Sequence, residues 1–239
     1  MTRLVLTDLD DTLFATARHH DNLEGCVPVT FKNTGEPSGY QSVKQQAIWS
    51  WLQSFGEIVP VTSRGKEQLD RVTLPFSPHG IWNHGLTLRI DGQEDLEWSR
   101  RSRALLLPLQ DILHRLTTEI PAALGWSVED VHVVETPDLD NLTRQVGFKG
   151  PNIASYKSFL QEMLTLRFGP DLFWVHTHPT DRIYITPVGV GKELAVDYLI
   201  EKIKPEMTIG FGDNPSDIAF MQRCDLSLFP KHCFALRAP

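Results

Sequence analysis

The chain has 239 residues, a length that allows one or two domains. Hydrophobic residues make up 41% and charged residues 22%, an ordinary globular composition that excludes an intrinsically disordered chain. The formal net charge of −7 gives no electrostatic reason to bind nucleic acid, because that affinity comes mainly from Lys and Arg neutralising phosphates. We therefore expect no nucleic-acid partner.

The sequence shows no targeting or membrane segment. Its amino-terminal stretch contains only three consecutive apolar residues, Leu4 to Leu6, too few for the core of a signal peptide. No stretch approaches the ~18 apolar residues of a membrane helix. The three cysteines are an odd and sparse set, which fits a reducing compartment. We expect a cytoplasmic protein without membrane association, as a monomer or a small homo-oligomer.

Short apolar runs alternate with amphipathic segments at both ends of the chain. The runs have strand length and the composition of strands buried on both faces, and they cover 3–7, 57–62, 207–211 and 225–229. Helical spacing of apolar residues covers 42–54 and 192–203. Asn214 and Pro215 predict the N-cap and first turn of a third helix that extends to about Arg223. Strands alternating with helices predict an α/β fold with a Rossmann-like parallel sheet.

The middle of the chain has a different element order. A strand over 86–90 and a turn at Asp91 and Gly92 precede a helix predicted over 100–119. Strands follow at 131–135 and 142–148, then a helix at 152–168, then strands at 172–178 and 182–186. This order predicts an α+β insert over 90–186, which divides the α/β core domain into 1–89 and 187–239.

Acidic residues follow the first predicted strand. Asp8, Asp10 and Asp11 lie within four residues, where a parallel sheet opens its ligand crevice. Such carboxylates repel one another unless a cation compensates, and Mg²⁺ takes carboxylate and phosphate oxygens. Asp8 is suited to attack phosphorus, and Asp10 to transfer protons to and from the reacting oxygens. The alternative is a helix N-terminus, where Asp and Thr are favoured.

Two further segments suit phosphate binding. Thr62 and the amide of Ser63 follow the second strand, although a hydroxyl capping a local turn would also explain them. Lys192 lies at a helix start, where the macrodipole disfavours a cation. Orientation toward Asp8 and a phosphate would explain that lysine, and a solvated side chain is the alternative.

Acidic residues also follow the third core strand. Asp213 is positioned to complete a Mg²⁺ site from a neighbouring strand end. Asp217 lies three residues after Asn214, so a capping box and a supporting role at the metal both fit.

The candidate residues fall in four segments, which in chain order are Asp8-Leu9-Asp10-Asp11-Thr12, Thr62, Lys192 and Gly212-Asp213 to Asp217. These segments resemble the motifs of the haloacid dehalogenase superfamily, whose members are mostly phosphatases with an aspartyl nucleophile. The insert is similar to the type IIB cap domain of sucrose-phosphate, trehalose-phosphate and mannosylphosphoglycerate phosphatases. Asp10 favours phosphate over halide, since the dehalogenase branch lacks this aspartate. Ser216 and Asp11 depart from the pattern, where many relatives have Asn and Gly.

The resemblance implies a Mg²⁺-dependent phosphatase that hydrolyses a small phosphomonoester, a sugar phosphate or a phosphorylated acid, through an aspartyl-phosphate. It implies that Asp8 is the nucleophile and Asp10 the acid and base, while Thr62, Ser63 and Lys192 bind the phosphate. The implied metal ligands are Asp8, Asp10 through its carbonyl, Asp213 and Asp217. A phosphomutase of the same fold and a non-catalytic module that binds phosphate ligands are the alternatives.

Two regions leave alternatives open. Arg144, Lys149, His176 and His178 lie on or beside predicted strands of the insert, where they either contact the leaving group or form the wet face of a half-buried sheet. The polar segment 19–39 is either a flap over the site or a surface loop.

Overall fold

The computed structural model describes residues 2–136, 139–178, 181–231 and 233, without the side chains of Val128 and His178. The chain divides into two compact units, Met1–Trp98 with Gly191–Pro239 and Ser99–Val190. We propose that the second unit is the inserted domain that the sequence predicts over 90–186.

A four-stranded parallel sheet forms the centre of the first unit. Its order is β13 (Leu226–Leu228), β12 (Met207–Phe211), β1 (Arg3–Thr7) and β4 (Glu57–Pro60). Thr7 is in register with Phe211 on one side and with Pro60 on the other, so three strands end at the same level. The predicted parallel core is confirmed, and it brings three segments with predicted site residues to one edge.

The helices of the first unit flank this sheet. They are α1 (Val43–Phe55), the short α2 (Lys66–Leu69), α6 (Lys192–Ile203) and the short α7 (Ile218–Met221). Ser42 caps α1 in a capping box with Gln45. Along β1, Val5 belongs to one hydrophobic cluster while Leu4 and Leu6 belong to another. This alternation means that the sheet is buried on both faces.

The third predicted helix is shorter than its prediction. Asn214 is the N-cap, but Pro215–Asp217 form a 3₁₀ turn before α7, which ends at Met221 rather than near Arg223.

The segment 19–39 contains regular structure. β2 (Val27–Phe31) and β3 (Pro37–Gln41) pair as an antiparallel hairpin with an irregular register around Thr30. Residues 27–39 of this segment therefore belong to a bulged hairpin, while 20–26 contain no helix or strand. The role of a flap stays a prediction. A second small antiparallel sheet consists of β5 (Gly80–Trp82), β6 (Thr87–Ile90) and β7 (Gln93–Glu94).

The second unit contains an antiparallel sheet. Its strand order is β10 (Phe173–His178), β11 (Arg182–Pro187), β9 (Leu142–Lys149) and β8 (Val131–Thr136). A hydrophobic cluster that includes Val146, Leu160 and Val175 joins this sheet to its helices. The predicted α+β insert is confirmed.

The prediction of one continuous helix over 100–119 is wrong. Two helices, α3 (Leu96–Leu106) and α4 (Gln110–Leu124), are separated by a 3₁₀ turn at Leu107–Leu109. Pro108 lies in that turn, where its missing amide hydrogen and its ring disfavour a continuous α-helix, whereas Pro121 is accommodated inside α4. The remaining helix of this unit, α5 (Lys157–Phe168), follows a 3₁₀ turn.

Within the described ranges, every helix is too short or too polar to cross a lipid bilayer. Cys26, Cys224 and Cys233 are free thiols.

Candidate active site

A buried ion pair lies at the carboxyl edge of the parallel sheet. Asp8 follows β1, and its amide donates to the carbonyl of Phe211 at 2.8 Å. Lys192 Nζ lies 2.5 Å from Asp8 Oδ1 and 2.8 Å from Asp217 Oδ1. Only 3% of the Lys192 side chain is exposed, so the solvated alternative for this lysine is wrong. The structure thus joins three of the predicted site residues.

Close backbone packing positions the start of α6. Gly85 has φ of +99°, and a Cβ at this position would lie 2.2 Å from the carbonyl oxygen of Gly191. The carbonyl of Gly85 accepts a hydrogen bond of 2.8 Å from Trp98 Nε1. Since Lys192 follows Gly191, glycine at position 85 permits the approach that places the lysine beside Asp8.

Three carboxylates form a cluster that suits a cation. Asp8, Asp213 and Asp217 each offer an oxygen within 4.8 Å of the others, and all three residues are buried. Thr12 donates from Oγ1 to Asp213 Oδ1 at 3.1 Å, which links the segment after β1 to the one after β12. Oxygen ligands of this kind are what Mg²⁺ prefers.

Asp217 also holds the loop after β12 in place. Its Oδ2 accepts from the amide of Asn214 at 3.1 Å, and its Oδ1 accepts from Lys192. Asn214 completes the capping box by accepting from the amide of Ser216. Both oxygens of Asp217 are therefore engaged, which favours the capping alternative for this residue while keeping it beside the other acids.

Burial is the main cause of the pKa shifts of two acids in this site. Burial raises the pKa of Asp8 well above its ordinary value, against the opposing effect of Lys192. Burial and the charge of Asp217 raise the pKa of Asp213 to about 7. Burial acts to lower the pKa of Lys192, but the carboxylates of Asp217 and Asp8 outweigh it and raise that pKa. One ammonium group does not compensate three acids, and a divalent cation would.

Asp10 makes an ion pair with Arg64 that was not predicted from the sequence. Arg64 donates from Nε and Nη2 to the two oxygens of Asp10, each at 2.8 Å. Its Nη1 donates to Thr30 Oγ1 at 3.1 Å and to the carbonyl of Gln68 at 3.3 Å. The sequence feature that could have identified Arg64 is its position as a cation two residues after Thr62, at a strand end. Arg64 fixes the position of the predicted proton-transfer group.

The second predicted segment lies at the end of β4. Thr62 is buried, and its Oγ1 accepts from the amide of Arg64 at 3.1 Å. The hydroxyl of Thr62 therefore caps a local turn, as one of the two predictions for it states. Ser63 Oγ lies 3.1 Å from His84 Nδ1. The neighbouring amide of Val61 donates to the carbonyl of Thr7, which joins this strand end to the segment of Asp8.

The polar residues predicted to lie on or beside strands of the second unit differ in their burial. Arg144 is buried, while Lys149 is exposed at the end of β9. His176 stacks on Trp174 with 4.6 Å between ring centroids and lies 3.1 Å from Thr186 Oγ1. The side chain of His178 lies outside the described part of the chain. These observations leave both predicted roles of the set open.

Solved structures share this architecture across nearly the whole chain. A sucrose-phosphatase from Synechocystis sp. PCC6803, in complex with sucrose and phosphate, matches with a TM-score of 0.58 and 16% identity over 93% of this chain and 80% of that one. A structure described as a HAD/COF-like hydrolase from Plasmodium vivax matches with a TM-score of 0.51 and 12% identity over 95% and 84%. The chain has the haloacid dehalogenase fold.

A further solved structure that matches is the C-terminal domain of trehalose-6-phosphate phosphatase from C. albicans, with a TM-score of 0.51 and 15% identity over 92% of this chain and 73% of that one. No protein-family model and no curated protein sequence matches the chain. The predicted haloacid dehalogenase-like core with an inserted domain is therefore confirmed at the level of the fold.

Proposed function

We propose that this protein is a Mg²⁺-dependent phosphatase that hydrolyses a small phosphomonoester through a covalent intermediate on Asp8. The observation that carries the proposal is the buried contact between Lys192 and Asp8 in a cluster with Asp213 and Asp217. Burying a carboxylate beside a single ammonium group costs desolvation free energy, so folding stability alone does not explain this contact. Its place at the sheet edge of a fold shared with phosphatases supports a catalytic use.

In the first step, a carboxylate oxygen of Asp8 attacks phosphorus while the bond from phosphorus to the leaving oxygen breaks. Asp10 donates a proton to that oxygen, so an alcohol departs and Asp8 becomes an aspartyl-phosphate. In the second step, Asp10 accepts a proton from water, whose oxygen attacks phosphorus. The bond from Asp8 to phosphorus breaks, and inorganic phosphate leaves. Arg64 orients the ionised carboxylate of Asp10, the form that accepts a proton from water in the second step.

Thr62, the amide of Ser63 and Lys192 surround the phosphoryl group in this proposal. Lys192 neutralises negative charge on Asp8 and on the phosphoryl oxygens, which matters because both are buried away from water. Asp217 positions Lys192 through the hydrogen bond of 2.8 Å between them. The resulting catalysis depends on charge stabilisation and in-line positioning.

The residues present fit a magnesium ion. The three clustered carboxylates outnumber the one ammonium group of Lys192, and burial together with the charge of Asp217 raises the pKa of Asp213. Asp8, the carbonyl of Asp10 and Asp213 would hold the ion, with Asp217 in support. When bound, Mg²⁺ lowers the repulsion between the nucleophile and the phosphate ester.

The substrate class we propose is a phosphorylated small polar metabolite, either a sugar phosphate or a phosphorylated acid. Two solved structures that share this fold support this class, because they are named as a sucrose-phosphatase and a trehalose-6-phosphate phosphatase domain.

A phosphate-release screen over para-nitrophenyl phosphate and a panel of metabolite esters, with and without Mg²⁺, tests the proposal. We expect release that requires Mg²⁺ and that Asp8→Asn lowers by at least about 10³-fold with little change in thermal unfolding, since Asn cannot act as the nucleophile. Asp70→Asn, which removes an exposed carboxylate at the residue that follows α2, is the matched control and is expected to retain activity.

Unchanged release by the Asp8→Asn variant would overturn the nucleophile assignment. Isomerised ester without free phosphate would indicate a phosphomutase instead. Ester binding with no turnover across the panel would favour the non-catalytic module.

A further inference from the structure

A cavity of about 590 Å³ lies within the first unit beside Asp10. Residues of the β2–β3 hairpin line one part of it, among them Thr30 and Lys32, while Arg64 and Arg71 line another. This volume is in the range of small-molecule sites in proteins. All its lining residues belong to Met1–Trp98, so the cavity is a property of this unit alone.

The lining carries more positive than negative charge. Lys32, Arg64 and Arg71 are cationic, and Asp10 is the one acidic residue among the ten lining residues. Arg64 is already balanced by its two hydrogen bonds to Asp10. Lys32 is paired with Glu36 at 2.9 Å, but both side chains are more than half exposed, so that pair is weak.

Arg71 is the cation of this cavity that retains binding capacity. It is half-buried, and its Nε donates to the carbonyl of Phe31 at 3.1 Å. Among the described residues this is the one hydrogen bond of the Arg71 side chain, and no carboxylate pairs with it. A guanidinium anchored through Nε presents its two terminal nitrogens as a fork, which matches the oxygens of a carboxylate or a phosphate.

We propose that this cavity binds a second anionic group of the substrate, a carboxylate or a second phosphate, through Arg71 with help from Lys32. The inference rests on the proposed function, in which Asp10 gives its proton to the leaving oxygen. Because Asp10 lines the cavity, the part of the substrate beyond that oxygen would extend toward it. Within the proposed substrate class, the cavity selects a phosphorylated acid or a bisphosphate over a neutral sugar monophosphate.

The test compares esters that differ only in the second group. Phosphoglycerate carries a carboxylate where glycerol phosphate has a hydroxymethyl group, and a sugar bisphosphate is compared with the sugar monophosphate. We expect wild-type protein to prefer the anionic member of at least one pair by about 10-fold or more in kcat/KM. The pair that shows the preference identifies the second group.

Arg71→Met is expected to remove that preference, mainly through KM for the anionic ester, while Arg71→Lys restores part of it. Arg223→Met removes a half-exposed arginine outside the cavity and is expected to keep the preference. Thermal unfolding of the Arg71 variants separates loss of binding from loss of folding. Equal losses for both members of a pair, or no preference in the wild type, would overturn the inference.

Binding to the Asp8→Asn variant, measured by calorimetry, separates this inference from the proposed function. Tighter binding of the anionic ester, abolished by adding Arg71→Met, supports the cavity assignment even where wild-type protein hydrolyses nothing. Hydrolysis of para-nitrophenyl phosphate together with equal binding of both esters would refute the cavity assignment and leave the phosphatase proposal standing.

Discussion

At the residue scale, the charge of Asp213 links metal binding, stability and pH. Its pKa of about 7 in the folded protein compares with an ordinary value of 3.8. Between these values the folded state holds a proton that the unfolded state has lost. Stability contributed by this group is therefore lost as pH rises from about 4 to 7. A divalent cation that binds the ionised carboxylate would reverse that loss.

We expect Asp213→Asn to stabilise the metal-free protein at pH 8, because the amide carries no buried charge. The gain in unfolding free energy should be on the order of 1–3 kcal/mol at pH 8 and smaller at pH 5. Mg²⁺ should stabilise the wild type at pH 8 and the variant much less. Urea unfolding with chelator and with Mg²⁺ measures both effects.

Asp91→Asn is the control, since that side chain is 84% exposed and should leave stability nearly unchanged. A less stable Asp213→Asn variant at pH 8, or equal stabilisation of both proteins by Mg²⁺, would contradict the assignment of Asp213 to the metal.

At the scale of elements, the start of α6 depends on the loop that contains Gly85. Lys192 is the first residue of this helix, and its Nζ contacts acids that follow β1 and β12. A shift of the helix start by a fraction of an ångström would weaken hydrogen bonds of 2.5 to 2.8 Å. The catalytic proposal therefore makes glycine at position 85 a requirement for activity.

Gly85→Ala and Gly92→Ala test this requirement as a matched pair. Both positions have positive φ, but a Cβ at position 92 meets nothing within 4 Å. We expect Gly92→Ala to cost about 1 kcal/mol of stability and to retain activity. Gly85→Ala should cost more than 2 kcal/mol and reduce phosphate release at least about 10-fold, because its Cβ displaces Gly191. Urea unfolding and steady-state kinetics measure the difference, and equal behaviour of the two variants would refute it.

At the scale of the whole molecule, the hydrophobic residues separate into distinct cores. Among the described residues, two buried clusters lie entirely in the first unit and one lies entirely in the second. Since packing couples residues within a cluster more strongly than residues that share no contact, each unit should lose stability locally.

Leu160→Ala and Leu52→Ala probe the two units with the same change, as both leucines are fully buried. Each should cost about 2–5 kcal/mol within its own unit. We expect Leu160→Ala to speed amide hydrogen exchange in 99–190 and Leu52→Ala to speed it in β1, β4 and β12. Faster exchange throughout both units in either variant would show that they unfold as one.

Much of this molecule is encoded locally, so the sequence predicts it. The bounds of β1 and β12 follow from short apolar runs, and those of α6 follow from the helical spacing of apolar residues. The Asn214–Asp217 capping box follows from residue types at short spacing. The meeting of Asp8, Lys192 and Asp213 was also predictable, because parallel strands end at one sheet edge and the family motifs occur in order. Pro108 was a local signal for the break between α3 and α4 that the prediction of one helix over 100–119 did not use.

Tertiary structure alone decided the contacts that no periodicity encodes. Arg64 binds Asp10 across 54 positions of the chain, and Arg71 meets the β2–β3 hairpin across 40. Such pairs depend on how a bulged ribbon packs beside a strand end, and many other partners would satisfy the same residue types. Amphipathic spacing specifies which face of an element is buried, while the identity of the group across from a side chain emerges only when the whole unit packs.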